Sequence, residues 1–234
     1  MMENTQKTYT EFHRSRNPSR VYPSEWVVRT LLGTYPGVAL SKELRPGDKV
    51  LDIGFGDGRN MPLLHDIGMD IHGVEITQEI VDLTQKRMDR YEIPVTLKVG
   101  TNARLPFHSA AFDYLLACHS CYYVDQGTTF SDNLSEYARV LKPGGCLVAS
   151  LPEPDSFIFR DSQDAGNGHR RITKDEIGLR NGYLFRVFQS TSEIQDAFAP
   201  YFERFSFGCT KNDYYGLQMN VFLMVCRRKS CEVK

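Results

Sequence analysis

The sequence predicts an α/β fold: a mostly parallel sheet with helices on both faces, closed at one edge by an antiparallel strand pair. Three observations predict it. Strand-like and helix-like segments alternate along the first two thirds of the chain, the pattern of a parallel sheet. The apolar run Val50 to Ile53 enters a glycine-rich turn and then a helical stripe. Near the C-terminus, Phe205 to Cys209 and Met219 to Cys226 follow one another with no helix between. Strands joined by a short connection pair antiparallel.

The elements follow in order. A helix is expected from Ser24 to Leu32. Beyond the glycine turn, Met61, Leu64 and Ile67 fall at helical spacing, with Gly68 as the stop. Met69 to Ile76 reads as the second strand, and Ile76, Ile80 and Leu83 start the next helix. Val95 to Val99 and Phe112 to Ala117 are further strands. Phe130, Leu134, Tyr137 and Leu141 mark an amphipathic helix, which Lys142-Pro143-Gly144-Gly145 should end before a strand from Cys146 to Leu151. Ile194, Phe198 and Phe202 give a last helix, with Ser190 and Glu193 spaced as a capping box.

Bulk properties narrow the function. The 234 residues are 41% hydrophobic and 24% charged, with a formal net charge of −1. That suits one globular domain and offers no basic excess for nucleic acid. No run of about 18 apolar residues is present, so no membrane span is expected. The polar start lacks a secretory leader, and the expected location is the cytoplasm. The six cysteines, Cys118, Cys121, Cys146, Cys209, Cys226 and Cys231, are dispersed and read as free thiols. Cys118 and Cys121 form a lone C-x-x-C, and no second pair completes a zinc set, so no metal is expected.

The chemistry concentrates in Val50-Leu51-Asp52-Ile53-Gly54-Phe55-Gly56-Asp57-Gly58. Glycines at alternate positions permit a tight turn and let a ligand lie against the backbone. At the end of the next strand stands Glu75, about 20 residues on, a place suited to ribose hydroxyls.

Four motifs in order, VLDIGFGDGRN, GVEIT, GTNARLPFHSAAFDYLLACHS and RVLKPGGCLVAS, resemble the class I S-adenosylmethionine-dependent methyltransferases over roughly residues 48–151. The resemblance implies a three-layer Rossmann-like fold with a seven-stranded sheet and an antiparallel final strand. It implies S-adenosyl-L-methionine as cofactor. Asp52, Gly54, Gly56 and Gly58 match the loop around its methionine portion, Glu75 the acid on the ribose, and Ile76 the apolar neighbour of adenine. Thr101 and Asn102 match the adenine edge. Many members have aspartate after the glycine where this chain has Thr101, so Asn102 is the expected substitute. His119 matches a position between cofactor and substrate.

His119, Tyr122 and Tyr123 are the candidate catalytic residues, with a satisfied polar residue or core aromatics as the competing readings. Tyr214 and Tyr215 divide the same way between core and pocket. The Asp/Asn-Pro-Pro-aromatic motif of amino-methylating nucleic-acid enzymes is absent, since Cys118-His119-Ser120-Cys121-Tyr122 stands there. A small-molecule acceptor with an oxygen, nitrogen or sulfur nucleophile is expected. A nicotinamide oxidoreductase and a non-catalytic binding module remain the alternatives; the former uses G-x-G-x-x-G, where this chain has G-x-G-x-G.

One domain is expected over 1–234: an N-terminal helical cap (1–45), a cofactor-binding core (46–152), an insertion or lid (153–189), and a C-terminal helix with its strand pair (190–234). The N-terminal arm carries Tyr9, Arg14, Arg16, Arg20, Tyr22 and Trp26. The insertion carries Phe157, Phe159, Arg160, His169, Arg170, Arg171 and Tyr183. These either wall the acceptor site or form ordinary packing with a charged outer face.

Overall fold

The computed structural model describes residues 2–15 and 20–230; Arg16 and Cys231 lie outside them. Seven strands form the main sheet. β1 (Lys49–Ile53), β2 (Asp70–Glu75), β3 (Val95–Val99), β4 (Phe112–Ala117) and β6 (Leu141–Pro152) run parallel, and β10 (Phe202–Tyr214) and β11 (Leu217–Arg228) complete the sheet. The order is β10-β11-β6-β4-β1-β2-β3, with β11 antiparallel to both neighbours. The expected sheet is therefore present. β1 and β4 lie side by side, and from them the connections run to opposite halves. Open α/β sheets bind ligands in the crevice beyond such a switch point.

Side-chain alternation along the strands splits the core in two. Leu51, Ile53, Leu115, Ala117, Leu147 and Ala149 face one cluster with α5 (Phe130–Val140) and α6 (Thr191–Phe198). Val50, Leu116 and Val148 face the other with α2 (Glu25–Leu32), α3 (Met61–Asp66) and α4 (Gln78–Arg90). Helices cover both faces because the central strands β1, β4 and β6 present apolar residues on both. Among the described residues, no helix is long and apolar enough to cross a membrane.

Helix ends follow local chemistry. Thr77 caps α4 by accepting from the Ile80 amide, and Thr129 with Asp132 forms a full capping box on α5. The Ser190 cap is half of the expected box. Its hydroxyl accepts from the Glu193 amide, but the Glu193 carboxylate turns to the Gln189 amide and to Arg186.

Three departures have physical causes. β6 begins at Leu141, ahead of Cys146, because the chain pairs with β4 at Phe112↔Leu141, loops out at Pro143-Gly144-Gly145 and pairs again at Tyr114↔Cys146. The insertion is not a bare loop: β7 (Asp161–Gly166), β8 (His169–Lys174) and β9 (Leu184–Arg186) form a second antiparallel sheet, ordered β5-β9-β8-β7, on β5 (Tyr123–Val124). The N-terminal arm is helical, α1 (Met2–Ser15), and packs rather than floating free. Thr10 is buried, its hydroxyl 3.2 Å from that of Thr77, and Arg14 pairs with Glu79.

Candidate active site

The glycine loop is held from three sides. The Gly54 amide donates to the Val74 carbonyl, and Ser120 Oγ donates to the Ile53 carbonyl at 2.5 Å. The turns after β1 and β4 are thereby tied together. From α4, Thr84 Oγ1 donates to the Gly56 carbonyl at 2.8 Å and Arg87 Nη1 to the Asp57 carbonyl at 2.7 Å. Gly54 and Gly56 have φ of 67° and 56°, conformations costly for other residues. A Cβ on Gly54 would stand 2.7 Å from that of Ser120, and one on Gly56 2.9 Å from the His13 ring. Gly58, with φ of 72°, also serves packing, since its Cβ would meet Thr84 at 2.7 Å.

Glu75 ends β2 with both oxygens engaged: Oε1 accepts from the Gly56 amide at 3.0 Å, Oε2 from the Ile76 amide at 2.7 Å. Burial pushes its pKa up against those two bonds. Each oxygen keeps a second lone pair for a ligand hydroxyl. Asp52 is different. It is buried, and among the described residues neither oxygen has a hydrogen-bond partner. Burial, then the nearby Glu75 and Asp57 carboxylates, push its pKa up to about 8.

A cavity opens beyond the strand ends, lined by Gly54, Glu75, Ile76, Thr101, Asn102, His119 and Tyr123 among others. It is small, about 90 Å³, because aromatic side chains close it. Tyr9 from α1 and Tyr183 from the insertion line it opposite the sheet. Tyr9 and Tyr123 meet through their hydroxyls, and the Tyr183 ring stands edge-on to both at 5.8 and 5.3 Å. Asp52, Gly56, Gly58 and Tyr122 do not line it.

The structure redistributes several expected roles. Asn102 lines the cavity and also braces the fold: its Nδ2 donates to the Ser120 and Tyr123 carbonyls, and its Oδ1 accepts from Tyr137 at 2.6 Å. The acid at this edge is Asp125, which lines the cavity and accepts a hydrogen bond from Thr101. No local motif marks Asp125, because it arrives from the loop after β4. Tyr122 turns into the core against Phe185, ring centroids 5.1 Å apart. Tyr214 and Tyr215 are exposed at the β10–β11 turn, so neither core nor pocket claims them.

His119 has φ of 57°, its ring 3.3 Å from Ser150 Oγ and edge-on to Trp26. Desolvation first, then Arg180 and Arg59, push its pKa down to about 4. The ring is neutral near pH 7, and a base with so acidic a conjugate acid is weak. Burial pushes the Cys118 and Cys121 thiols up to about 11 and 12, so both stay protonated. The two diverge: Cys118 faces Ser24, and Cys121 faces the Ser150 carbonyl.

The arginines nominated in the insertion point elsewhere. Arg160 pairs with Glu176, Arg170 with Ser162, and Arg171 with the Gly182 carbonyl. Phe157 and Phe159 are core residues. Arg180, half-buried and paired with Asp175 at 2.9 Å, is a cation that no spacing rule singles out.

Comparison with known proteins agrees with this geometry. Residues 51–149 match a family model described as a methyltransferase domain. A demethylmenaquinone methyltransferase of Tropheryma whipplei is 33% identical over 113 residues, covering 48% of this chain and 45% of the relative. The chain thus spans about half the length of that relative. Among solved structures, a SAM-dependent methyltransferase from Methanosarcina mazei superposes with a TM-score of 0.65 at 19% identity, covering 84% of this chain and 99% of the other. The PH0226 protein of Pyrococcus horikoshii OT3 gives a TM-score of 0.65 at 21% identity, covering 94% and 99%. At such identities the structural matches speak for the fold. The motifs, the glycine loop and Glu75 gather in one crevice, residues 51–149 are similar to a methyltransferase domain, and the fold is the one seen in a solved SAM-dependent methyltransferase.

Proposed function

We propose that this protein transfers the methyl group of S-adenosyl-L-methionine to a small-molecule acceptor. In this reading residues 46–152 hold the cofactor, and α1 with residues 153–189 closes over the acceptor. The observation that carries it is Asp52. A buried carboxyl without partners, crowded by Asp57 and Glu75, suits a cationic ligand. S-adenosyl-L-methionine carries a sulfonium and an ammonium, whereas the pyrophosphate of a nicotinamide dinucleotide would meet three carboxylates. Glu75 faces the cavity with lone pairs for the ribose, and Asp125 with Thr101 offers an acceptor for the adenine amino group.

When bound, the cofactor supplies a methyl carbon activated by its sulfonium. The chain's own work is to orient the acceptor and exclude water. Tyr9, Tyr123 and Tyr183 serve both ends, since they close the cavity with rings. His119 and Tyr123 position the acceptor, and the acidic conjugate acid of His119 points away from a strong-base mechanism. The relative named for demethylmenaquinone supports a small-molecule acceptor, as does the near-zero net charge.

Isothermal titration with S-adenosylhomocysteine and with NAD tests the reading, followed by a screen of acceptors read by S-adenosylhomocysteine formation. Binding of the former alone, with turnover on one acceptor class, is expected. Heat with NAD alone would point to an oxidoreductase. Cofactor binding without turnover across the screen would point to a non-catalytic module.

A further inference from the structure

Ser150 and His119 are joined at two atoms. β6 runs beside β4 in the register Ala117↔Ala149, which brings Ser150 next to the turn that follows β4. Ser150 is fully buried, and it does not line the cavity. Its Oγ accepts from the His119 amide at 3.0 Å and stands 3.3 Å from His119 Nδ1. The left-handed backbone of His119, with φ of 57°, turns amide and ring to the same oxygen. The Trp26 ring stands edge-on to the imidazole, centroids 6.3 Å apart.

A hydroxyl has one proton and two lone pairs. One lone pair of Ser150 takes the His119 amide. Among the described residues, Nδ1 is the one acceptor within reach of the Ser150 proton. Were Nδ1 itself protonated, that buried hydroxyl proton would have no acceptor, a costly arrangement. Ser150 therefore donates to Nδ1. Burial favours the neutral ring near pH 7, and a neutral ring that accepts at Nδ1 carries its proton on Nε2. Nε2 has no hydrogen-bond partner among the described residues, yet it is not one of their buried unpaired atoms. It is open on the side of the cavity that His119 lines, with Ser150 behind the ring.

We propose that Ser150 is a positioning residue that holds His119 in its Nε2–H form, so that His119 offers the cavity a hydrogen-bond donor and not a base. Taken with the methyl-transfer reading above, on which this second step rests, the tautomer sets the chemistry of the acceptor. The atom that meets His119 brings a lone pair, as a carbonyl, ether or anionic oxygen does. A protonated amine there would meet another proton.

Long-range proton–nitrogen correlation NMR of the full chain, with isotope-labelled histidine, tests the tautomer near pH 7. The His119 signals are identified by their loss in His119→Gln. Wild type should show a pyridine-like Nδ1 and a pyrrole-like Nε2, with and without saturating S-adenosylhomocysteine. Ser150→Ala should move both nitrogens toward the averaged shifts of mixed tautomers, a change that a merely structural role of Ser150 would not produce. Should Ser150→Ala fail to fold, Ser150→Cys, with a weaker donor of similar size, supplies the comparison and should shift both nitrogens the same way. A pyrrole-like Nδ1, an imidazolium or mixed tautomers in wild type overturns the proposal. Wild-type nitrogen shifts in the Ser150 variant overturn it too. Failure to bind S-adenosylhomocysteine instead overturns the methyl-transfer reading, and the spectra without it still decide the tautomer.

Discussion

The hydroxyls of Tyr9 and Tyr123 meet across the cavity, joining α1 to the first strand of the second sheet. Burial, then Tyr123, holds the Tyr9 pKa well above its ordinary value, so the Tyr9 hydroxyl stays protonated. The contact links an element outside the core motifs to the site those motifs build.

In the proposed reading α1 acts as a cover. Its His13 ring lies over Gly56, and Arg14 ties it to Glu79 at the start of α4. Removing residues 1–20 should leave a folded protein, since both core clusters draw almost entirely on later residues. Dissociation of S-adenosylhomocysteine, followed by stopped flow, should speed up by about tenfold or more, and turnover should fall. An unchanged off-rate with full turnover would show that α1 is only packing.

Glu75→Ala removes the proposed acceptor for two ribose hydroxyls. Charge-assisted hydrogen bonds of this kind are worth roughly 1.5–3 kcal/mol, or one to two powers of ten in affinity. Calorimetry should show that weakening, with the circular dichroism spectrum retained. A dissociation constant equal to wild type would place the ribose elsewhere.

In the proposed reading Asp125 substitutes in space for the acid missing at Thr101. Asp125→Ala should weaken S-adenosylhomocysteine binding by roughly tenfold, the loss of one hydrogen bond to a carboxylate. The sharper check uses the deaminated analogue S-inosylhomocysteine. Wild type should discriminate against it, and the variant should not. Equal discrimination by both proteins would remove Asp125 from the adenine edge.

Asp52 makes cofactor binding pH-dependent. Its pKa is raised to about 8 in the folded protein, so near pH 7 it is largely protonated. The sign follows: a raised acid contributes stability that is complete below its unfolded value, near 4, and is lost as pH rises through 8. A cationic ligand favours the carboxylate, so binding at pH 7 should release a proton. Calorimetry in buffers of different ionisation enthalpy should detect the release. It should fade well above pH 8 and vanish in Asp52→Asn. Buffer-independent heats in wild type would mean that the cation binds away from Asp52.

The sequence by itself determined the parallel core, the antiparallel closing strand, the glycine loop and Glu75. Each is written locally, in the two-residue alternation of Leu51 and Ile53, the helical spacing of Met61 and Leu64, and glycines where φ is positive. Tertiary structure decided the rest. Asn102 is expected at adenine from the sequence; it lines the cavity, and it also holds Ser120, Tyr123 and Tyr137 from other elements. The second sheet left little trace because its strands are short and β7 and β8 are polar; in β8 only Ile172 is buried. Asp125, Arg180 and Tyr9 belong to segments remote in sequence from the glycine loop. A hydrogen bond or a buried charge has no period along the chain, so their convergence appears only once the sheet and its covers bring them together.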